Sequence, residues 1–421
     1  MESNYTVGLD IGSSKIVLLI GEQMANNMIN IVGIGEVPAK GVDKGSVTDL
    51  DSVVTAIQNA LTVAEEMANC KVSSVNLSVS GAHIESTNES GTWAIDDNAV
   101  SSYDIESVLH NAQSIKIRDD QRLLHVIPQQ YSIDSQEGIS NPLGLAGVKL
   151  KADVHLITCH NDFVKNLEKA VELCGLLIEQ LTFSGVASSA AILSEDEKEL
   201  GVCIVDIGSG TMDISVYIAG ALRHSSVLAY AGNSVSNDIA ITFSSPQSSA
   251  EKIKIKYGCL QRDSIDPDEM IELTSVGGRN ARTLQRQMLV DVIEARYSEL
   301  LELIKKELCK LSSGSGMEGL KQKLAAGIVI TGGAAQMVGL VEVAEKVFDN
   351  MQVRIGKPEN LQGLVDDVAT PAYSTVLGLL RFKTTPFSKN DESPDVSGFS
   401  VIISRIRSRF SVIINRIKKE Y

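Results

Sequence analysis

A chain of 421 residues with 43% hydrophobic and 22% charged residues has the composition of a globular protein, not a disordered one, and is long enough for two or more domains. Its formal net charge of -15 argues against a general nucleic-acid binder, whose phosphate contacts need a basic surface, so no nucleic-acid partner is expected. Cys70, Cys159, Cys174, Cys203, Cys259 and Cys309 form no CxxC pair, which suits reduced thiols in a cytosolic protein. The start MESNYTVGLD has no basic n-region or apolar h-region, and no run reaches 18 apolar residues. Neither a secretory signal nor a membrane-spanning helix is expected.

In chain order, YTVGLDIGSSKIVLLIGEQ reads as strand, tight turn, strand, and MINIVGIGEVPA as a third strand. TDLDSVVTAIQNALTVAEEMANC has helical periodicity, with Asp49 or Asp51 as its cap, and SSVNLSVSG is a strand. From about residue 84 to 162 the character changes. A helix (DIESVLHNAQSI) and two strands (LLHVIPQQYSID and KADVHLITC) surround the turn-rich EGISNPLGLAG, as a small inserted domain would. NDFVKNLEKAVELCG is a helix with a glycine stop, and LLIEQLTFSG leads into the Ala- and Ser-rich VASSAAIL.

The second half opens with ELGVCIVDIGSGTMDISVYIAGAL, followed by helical SSAEKIKIKYG. RTLQRQMLVDVIEARYSELLELIKKELCKL is a long amphipathic run of one or two helices. AAGIVITGGAAQMVGLVEVAEKVF reads as strand, glycine turn and a helix beginning near Ala334. PAYSTVLGLLRF is the last helix of the folded part. KTTPFSKNDESPDVSG has no period and reads as a flexible linker.

GLDIGSSKIVLLI and IVDIGSGTMDISVYI share Asp-Ile-Gly-Ser between two strands. They lie too far apart for a solenoid unit, and imply two related domains facing each other. A glycine turn between strands presents N–H groups to an anion, and Gly12, Gly208 and Gly210 permit close approach. Two such turns would clasp a polyphosphate. Asp10 and Asp206, at the strand ends, would repel it unless Mg²⁺, held through water, lies between. Ser13, Ser14 and Lys15, and Ser209 and Thr211 in the other half, offer donors. In VITGGAAQM, Gly332, Gly333 and Ala334 suit the sugar or base of a nucleotide. Glu251 and Lys254 share a helix face and either hold a ribose hydroxyl or form a plain surface ion pair. GxxxxGK[ST] is absent and no convincing GxGxxG occurs, which excludes a P-loop and disfavours dinucleotide binding. His155, Cys159 and His160 fit a strand and its end without a metal.

The tail FSVIISRIRSRFSVIINRIKKEY breaks the chain's acidic balance. Phe399, Ile402, Ile403, Ile406, Phe410, Ile413, Ile414 and Ile417 form one helical stripe. Arg405, Arg407, Arg409, Arg416, Lys418 and Lys419 lie outside it. Such a helix suits an anionic lipid surface, to which Arg405, Arg409, Arg416 and Lys418 would snorkel. Docking on the protein's own core or on a partner is the alternative.

DIGSSK (Asp10–Lys15), DIGSGTMD (Asp206–Asp213) and TGGAA (Thr331–Ala335) resemble the phosphate and adenosine motifs of the actin, Hsp70 and sugar-kinase superfamily. Within it the chain resembles the bacterial FtsA cell division family along essentially its full length. The more specific marks are HVIPQQYSIDSQEGISNPLGLAGVKLKADVHLIT, VGGRNARTLQRQ and the basic amphipathic end. The resemblance implies an α/β fold of duplicated, ribonuclease-H-like actin domains. The first core domain would span 1–83 and 163–195, around an inserted family-specific subdomain at 84–162. The second would span 196–240 and 319–370, around an outer subdomain at 241–318. A closing helix of the first domain (371–382), a linker (383–398) and a membrane-targeting helix (399–421) would follow.

It further implies ATP with Mg²⁺ as ligand. Asp10, Gly12, Ser13, Ser14 and Lys15 would take the first phosphate role, and Asp206, Gly208, Ser209, Gly210 and Thr211 the second. Gly332, Gly333 and Ala334 would hold the nucleoside, and Glu251 and Lys254 the ribose. No residue is evident for positioning an attacking water, so binding with weak or absent turnover is expected. The implied role is anchoring the tubulin-like FtsZ ring to the cytoplasmic face of the inner membrane at the septum. The protein would be peripheral, self-associate into actin-like filaments and help recruit later division proteins. The C-terminal peptide of FtsZ would dock between about 240 and 309, where Arg279, Arg282, Arg286 and Arg296 either receive it or form a solvated basic face. The alternative is an actin-fold kinase for a small hydroxyl compound, for which the tail has no evident use. A chaperone-like ATPase is disfavoured because only linker and tail follow Phe382.

Overall fold

Buried apolar runs make Tyr5–Ile11 (β1) and Lys15–Gln23 (β2) central strands, paired antiparallel with Asp10 opposite Val17. The computed structural model describes residues 5–24, 28–96, 98–114, 117–273, 282–312 and 316–382. They fall within one compact unit, Met1–Lys383, and residues 384–421 lie outside the described residues. Ile29–Pro38 (β3) follows, and then a small hairpin of Val42–Asp43 (β4) and Ser46–Val47 (β5). Helix Leu50–Ala68 (α1) starts at Asp49, whose carboxylate accepts from Ser52 N, as an N-cap does. Its apolar face packs on β3, where a Cβ at Gly35 would lie 1.8 Å from the Ala60 carbonyl, so only glycine permits this approach. Ser74–Val79 (β6) then runs parallel to β1.

The inserted region is a four-stranded antiparallel sheet of Glu85–Ala94 (β7), Gln121–Ile133 (β8), Gln136–Ile139 (β9) and Lys149–His160 (β10), ordered β7-β10-β8-β9. Helix Ser102–Gln113 (α2), begun by a Ser101/Asp104 capping box, packs on β7. The chain then rejoins the first sheet through Asn161–Leu173 (α3) and Leu177–Phe183 (β11), which is parallel to β6. Helix Ser184–Ile192 (α4) is buried almost throughout, and Glu195–Leu200 (α5) leads out of it.

Val202–Ile207 (β12), Met212–Ile218 (β13) and Ala221–Leu228 (β14) repeat the β1–β2–β3 meander. An outer group follows: Gly232–Thr242 (α6), Gln247–Tyr257 (α7), the pair Met270–Leu273 (β15) and Arg282–Gln285 (β16), then Arg286–Cys309 (α8) and Gly316–Lys323 (α9). The long amphipathic run is therefore one helix with a short strand before it. Ile328–Thr331 (β17) lies parallel to β12 as β6 lies to β1, followed by Leu340–Val347 (α10) and Val353–Ile355 (β18). The sheet order β14-β13-β12-β17-β18 matches β3-β2-β1-β6-β11. The expected helix at Ala334 is a single 3₁₀ turn, Gly333–Gln336, and the α-helix starts only at Leu340. Gly332 (φ +92) and Gly339 (φ +83) adopt a conformation that helices cannot continue through.

Leu361–Gly363 (β19) pairs with β3, so the return to the first sheet starts before Pro371. Val365–Val368 (α11) and a 3₁₀ turn at Pro371–Tyr373 precede the last described helix, Ser374–Arg381 (α12). That helix crosses α4 so closely that a Cβ at Gly378 would sit 1.8 Å from the Ala187 carbonyl. The inserted sheet shields the edge strand β14 with side chains. Gln129 Nε2 donates to Leu222 O, Asn88 Nδ2 to Arg223 O, and Ser86 Oγ to Ser225 O. Edge carbonyls left bare would invite foreign strands.

Candidate functional site

The two glycine turns close in the same way: Gly12 N donates to Lys15 O at 3.1 Å, and Gly208 N to Thr211 O at 2.9 Å. They border one cavity of about 550 Å³. Fourteen of the fifteen residues expected to hold nucleotide line it: Asp10, Gly12, Ser13, Ser14, Lys15, Asp206, Gly208, Ser209, Thr211, Glu251, Lys254, Gly332, Gly333 and Ala334. Gly210 does not. A Cβ there would lie 2.6 Å from Ser13 Oγ and 3.0 Å from Lys44 Cα, so Gly210 is where one turn is pressed against the other, behind the cavity.

Three carboxyls line the space, Asp206 and Asp213 buried and Asp10 partly so, each with a hydroxyl donor. Ser78 Oγ donates to Asp10 at 2.6 Å, Thr375 Oγ1 to Asp206 at 2.8 Å, and Ser80 Oγ to Asp213 at 2.5 Å. Burial raises all three titrations. It raises Asp10 against the pull of Ser78 and Lys15. Burial and the Asp10 charge push Asp206 up to about 6, and burial and the Asp206 charge hold Asp213 well above the carboxylate range. Such a cluster favours a neutralising ligand over bare charge. Among the described residues no three His, Cys, Asp or Glu side chains converge to hold a metal ion directly.

Both lining lysines already have partners. Lys15 Nζ lies 2.8 Å from Glu36 and 3.6 Å from the centre of the Tyr373 ring. Lys254 Nζ lies 2.7 Å from Glu251 and donates to Gly232 O at 3.1 Å. Glu251 also accepts from Ser236. Glu251 and Lys254 thus form an ion pair, but in the cavity wall and not on open surface. Beyond them, Ile255, Gly258, Met337 and Val338 make an apolar end, and buried Tyr297 donates to Ala334 O at 2.9 Å. Gly333 is open, with nothing nearer a Cβ than Ala372 at 4.0 Å.

Several lining residues went unmarked in the sequence: Gly45, Ser78, Ser80, Gly232, Tyr297 and Thr375. Asp213 carried a signal, since a two-stranded register about the turn places it opposite Asp206. The others come from elements brought in by tertiary packing. The expected partner arginines lie elsewhere. Arg282 donates to Phe243 O, and Arg286 to Tyr257 O and Glu269. Arg296 grips Asp238 and reaches Glu299. Arg279 falls outside the described residues, as do all the tail residues expected at a membrane.

Two family profiles match this chain: "Cell division protein FtsA" over residues 203–378 and "SHS2 domain inserted in FTSA" over residues 81–158. The FtsA of Escherichia coli strain K12 is 54% identical over 381 residues, covering 90% of each chain. The chain belongs to the FtsA family of cell division proteins. The FtsA of Buchnera aphidicola from Acyrthosiphon pisum is 44% identical, over 97% of this chain and 98% of its own. That of Pseudomonas aeruginosa PAO1 is 46% identical, over 89% and 88%. The inserted sheet is therefore the family's SHS2 domain. Among solved structures, the PilM–PilN type IV pilus biogenesis complex aligns with TM-score 0.62 at 16% identity, over 89% of this chain and 97% of that one. MreB5 of Spiroplasma citri bound to ADP aligns with TM-score 0.51 at 12% identity, over 90% and 95%. These likenesses establish the actin-like α/β fold of this FtsA family member. Among the described residues no helix is long and apolar enough to cross a membrane.

Proposed function

We propose that this FtsA family member binds Mg-ATP between its two halves and uses it to govern self-association at a membrane. Fourteen residues chosen from three separate sequence motifs and one helix line a single cavity, and that convergence carries the reading. Solved structures of MreB5 from Spiroplasma citri bound to ADP and to AMPPNP, aligned at TM-scores 0.51 and 0.50, lend it support. The Gly12 and Gly208 turns would offer N–H groups to the phosphates, and Ser13, Ser14, Ser209 and Thr211 hydroxyls would add donors. The Glu251–Lys254 pair would face the ribose, and Gly332–Ala334 the nucleoside. Asp10 and Asp206 suit Mg²⁺ through water, since burial raises the titration of both and a cation would restore their charged forms. When bound, Mg²⁺ would supply charge neutralisation between carboxylates and phosphates. Burial and the Asp206 charge hold Asp213 well above the carboxylate range.

In this reading the basic amphipathic tail lies on anionic lipid at the cytoplasmic face of the inner membrane, at the septum. The acidic body stays off that surface by way of the linker. One short helix binds reversibly, so filaments of the chain would gain attachment by avidity. The FtsZ C-terminal peptide would dock in the region of Arg279, Arg282, Arg286 and Arg296, and later division proteins would follow. Docking there must compete with the ion pairs that Arg286 makes with Glu269 and Arg296 with Asp238.

Calorimetry and liposome co-sedimentation test the two ends separately. The full chain should bind Mg-ATP, and Asp206→Ala should abolish that binding; heat that Asp206→Ala leaves unchanged would refute the site. The full chain should pellet with anionic liposomes, while a chain ending at Phe382 stays soluble. Equal behaviour of the two would remove the anchor.

A further inference from the structure

The small hairpin β4–β5 belongs to the first half and touches the glycine turn of the second. Its loop is two residues long, Lys44 and Gly45, both with positive φ (+48 and +80). That is the geometry of a tight turn which favours Asn or Gly at its first position. Lysine there is a poor conformational choice, and an unfavourable residue held in place points to function.

Its surroundings supply the function. Gly45 lines the cavity, and a Cβ on it would lie 2.1 Å from Ser80 O. The Gly45 N–H donates to Ser13 Oγ at 3.4 Å, and Lys44 Cα lies 3.0 Å from the Cβ position of Gly210. The hairpin tip thus rests on both phosphate-facing turns. It also joins a series of contacts that runs along the cavity wall. Starting from the apolar end, Tyr297 holds Ala334, Lys254 holds Gly232, and Gly232 holds Gly208. Thr211 meets Ser80, and Ser80 abuts Gly45. Gly45 is last in that chain of contacts.

Charge completes the argument. Among the described residues two lysines and no arginine line the cavity, and each lysine is paired with a glutamate. Asp10, Asp206 and Asp213 supply no positive charge. Mg-ATP brings net negative charge of its own, and a terminal phosphate needs a donor cation. Among the described residues Lys44 has no carboxylate within ion-pairing distance, and it rests 5.4 Å from the ring of Tyr230, itself 53% exposed. An exposed cation–π contact is weak and easily exchanged for phosphate, and the four-carbon stem of lysine is flexible.

We infer that Lys44, carried by the β4–β5 hairpin over the two phosphate-facing turns, leaves Tyr230 to bind the terminal phosphate of a nucleoside triphosphate and so sets triphosphate over diphosphate preference. The inference rests on the nucleotide reading above and assigns its third phosphate a partner. Lys40, also without a carboxylate partner among the described residues, precedes the hairpin on the chain and serves as a control for long-range charge.

The test is calorimetry of the full chain with Mg-ATP and Mg-ADP. Lys44→Ala should weaken Mg-ATP about tenfold or more and Mg-ADP less than threefold, Lys44→Arg should recover most of the loss, and Lys40→Ala should change both less than twofold. Equal losses for both nucleotides would show that the hairpin only props the turns, and overturn the inference. So would no loss for either, or a Lys40→Ala loss matching that of Lys44→Ala. A wild-type chain that binds neither nucleotide would remove the cavity reading itself, which the Lys44 comparison alone does not touch.

Discussion

In the first hairpin Asp10 lies across from Val17, and in the second the equivalent Asp206 lies across from Asp213. Around Asp10 there is also a cation, Lys15, tied to Glu36 and Tyr373. Around Asp206 the position of that lysine is taken by Thr211, and the nearest titrating neighbours are carboxyls. Both turns close with the same backbone hydrogen bond, yet one half balances its charge internally and the other accumulates negative charge under cover. The two halves share the turn geometry. The second half is the side where two carboxyls, Asp206 and Asp213, meet with no cation in the position of Lys15.

The largest expected effect of that asymmetry is on stability without ligand. Asp206 titrates near 6 in the folded chain against about 3.9 for an unperturbed aspartate. Between those values the folded state holds a proton that the unfolded state has lost. Stability contributed by this group is therefore complete below about pH 4, declines as pH rises, and is gone above about pH 6, a cost on the order of 3 kcal/mol. Asp206→Asn should remove that decline and leave the ligand-free chain more stable than wild type at pH 7.5, while losing nucleotide. Urea unfolding of both proteins at pH 4.5 and 7.5 reads the difference. Parallel pH slopes would mean that Asp206 ionises normally and the two halves are not electrostatically distinct.

A smaller effect separates the glycines of the second turn. A Cβ at Gly208 would meet only Thr211 O, at 3.2 Å, whereas one at Gly210 would strike Ser13 Oγ and the Lys44 backbone. Gly210→Ala should cost about 1–3 kcal/mol, the range for overpacking, and should weaken Mg-ATP as the turns are wedged apart. Gly208→Ala should cost under about 1 kcal/mol by the same reasoning. Equal midpoints in urea would show that the two turns are not in contact at Gly210.

The fold was legible where it is local or repeated. Asp-Ile-Gly-Ser twice, each between buried apolar runs, was enough to imply two facing halves, and the matching sheet orders bear that out. Asp49 was one of two candidate caps, and only coordinates select it. The helix expected at Ala334 failed because glycine at 339, not the 332–333 pair alone, decides where regular φ begins. In the site, residues within motifs were found and residues delivered by packing were not. Thr375 reaches Asp206 from 169 positions away, and Ser80 reaches Asp213 from 133. No spacing rule joins such pairs. Gly210 shows the reverse failure: the right residue for a close approach, but toward Ser13 and Lys44 instead of toward ligand.

The smallest expected effect concerns the cation of the first half. Lys15 is partly exposed and held by a carboxylate and an aromatic face at once. Glu36 is itself held below its ordinary value: burial works against this, and the hydrogen bonds from Lys15 and Tyr373 outweigh burial. A half-exposed ion pair is worth little to stability, so Glu36→Gln should leave the unfolding midpoint nearly unchanged. Its effect should appear in binding. With its carboxylate partner gone, Lys15 would carry free charge beside the Gly12 turn, and Mg-ATP should bind about two- to threefold more tightly, a few tenths of a kcal/mol. Calorimetry of the variant against wild type reads the change. Tighter binding would mean that the first half keeps a phosphate cation in reserve behind Glu36. Unchanged affinity would mean that Tyr373 alone fixes Lys15, leaving the first half neutral and the hairpin lysine as the cation of the site.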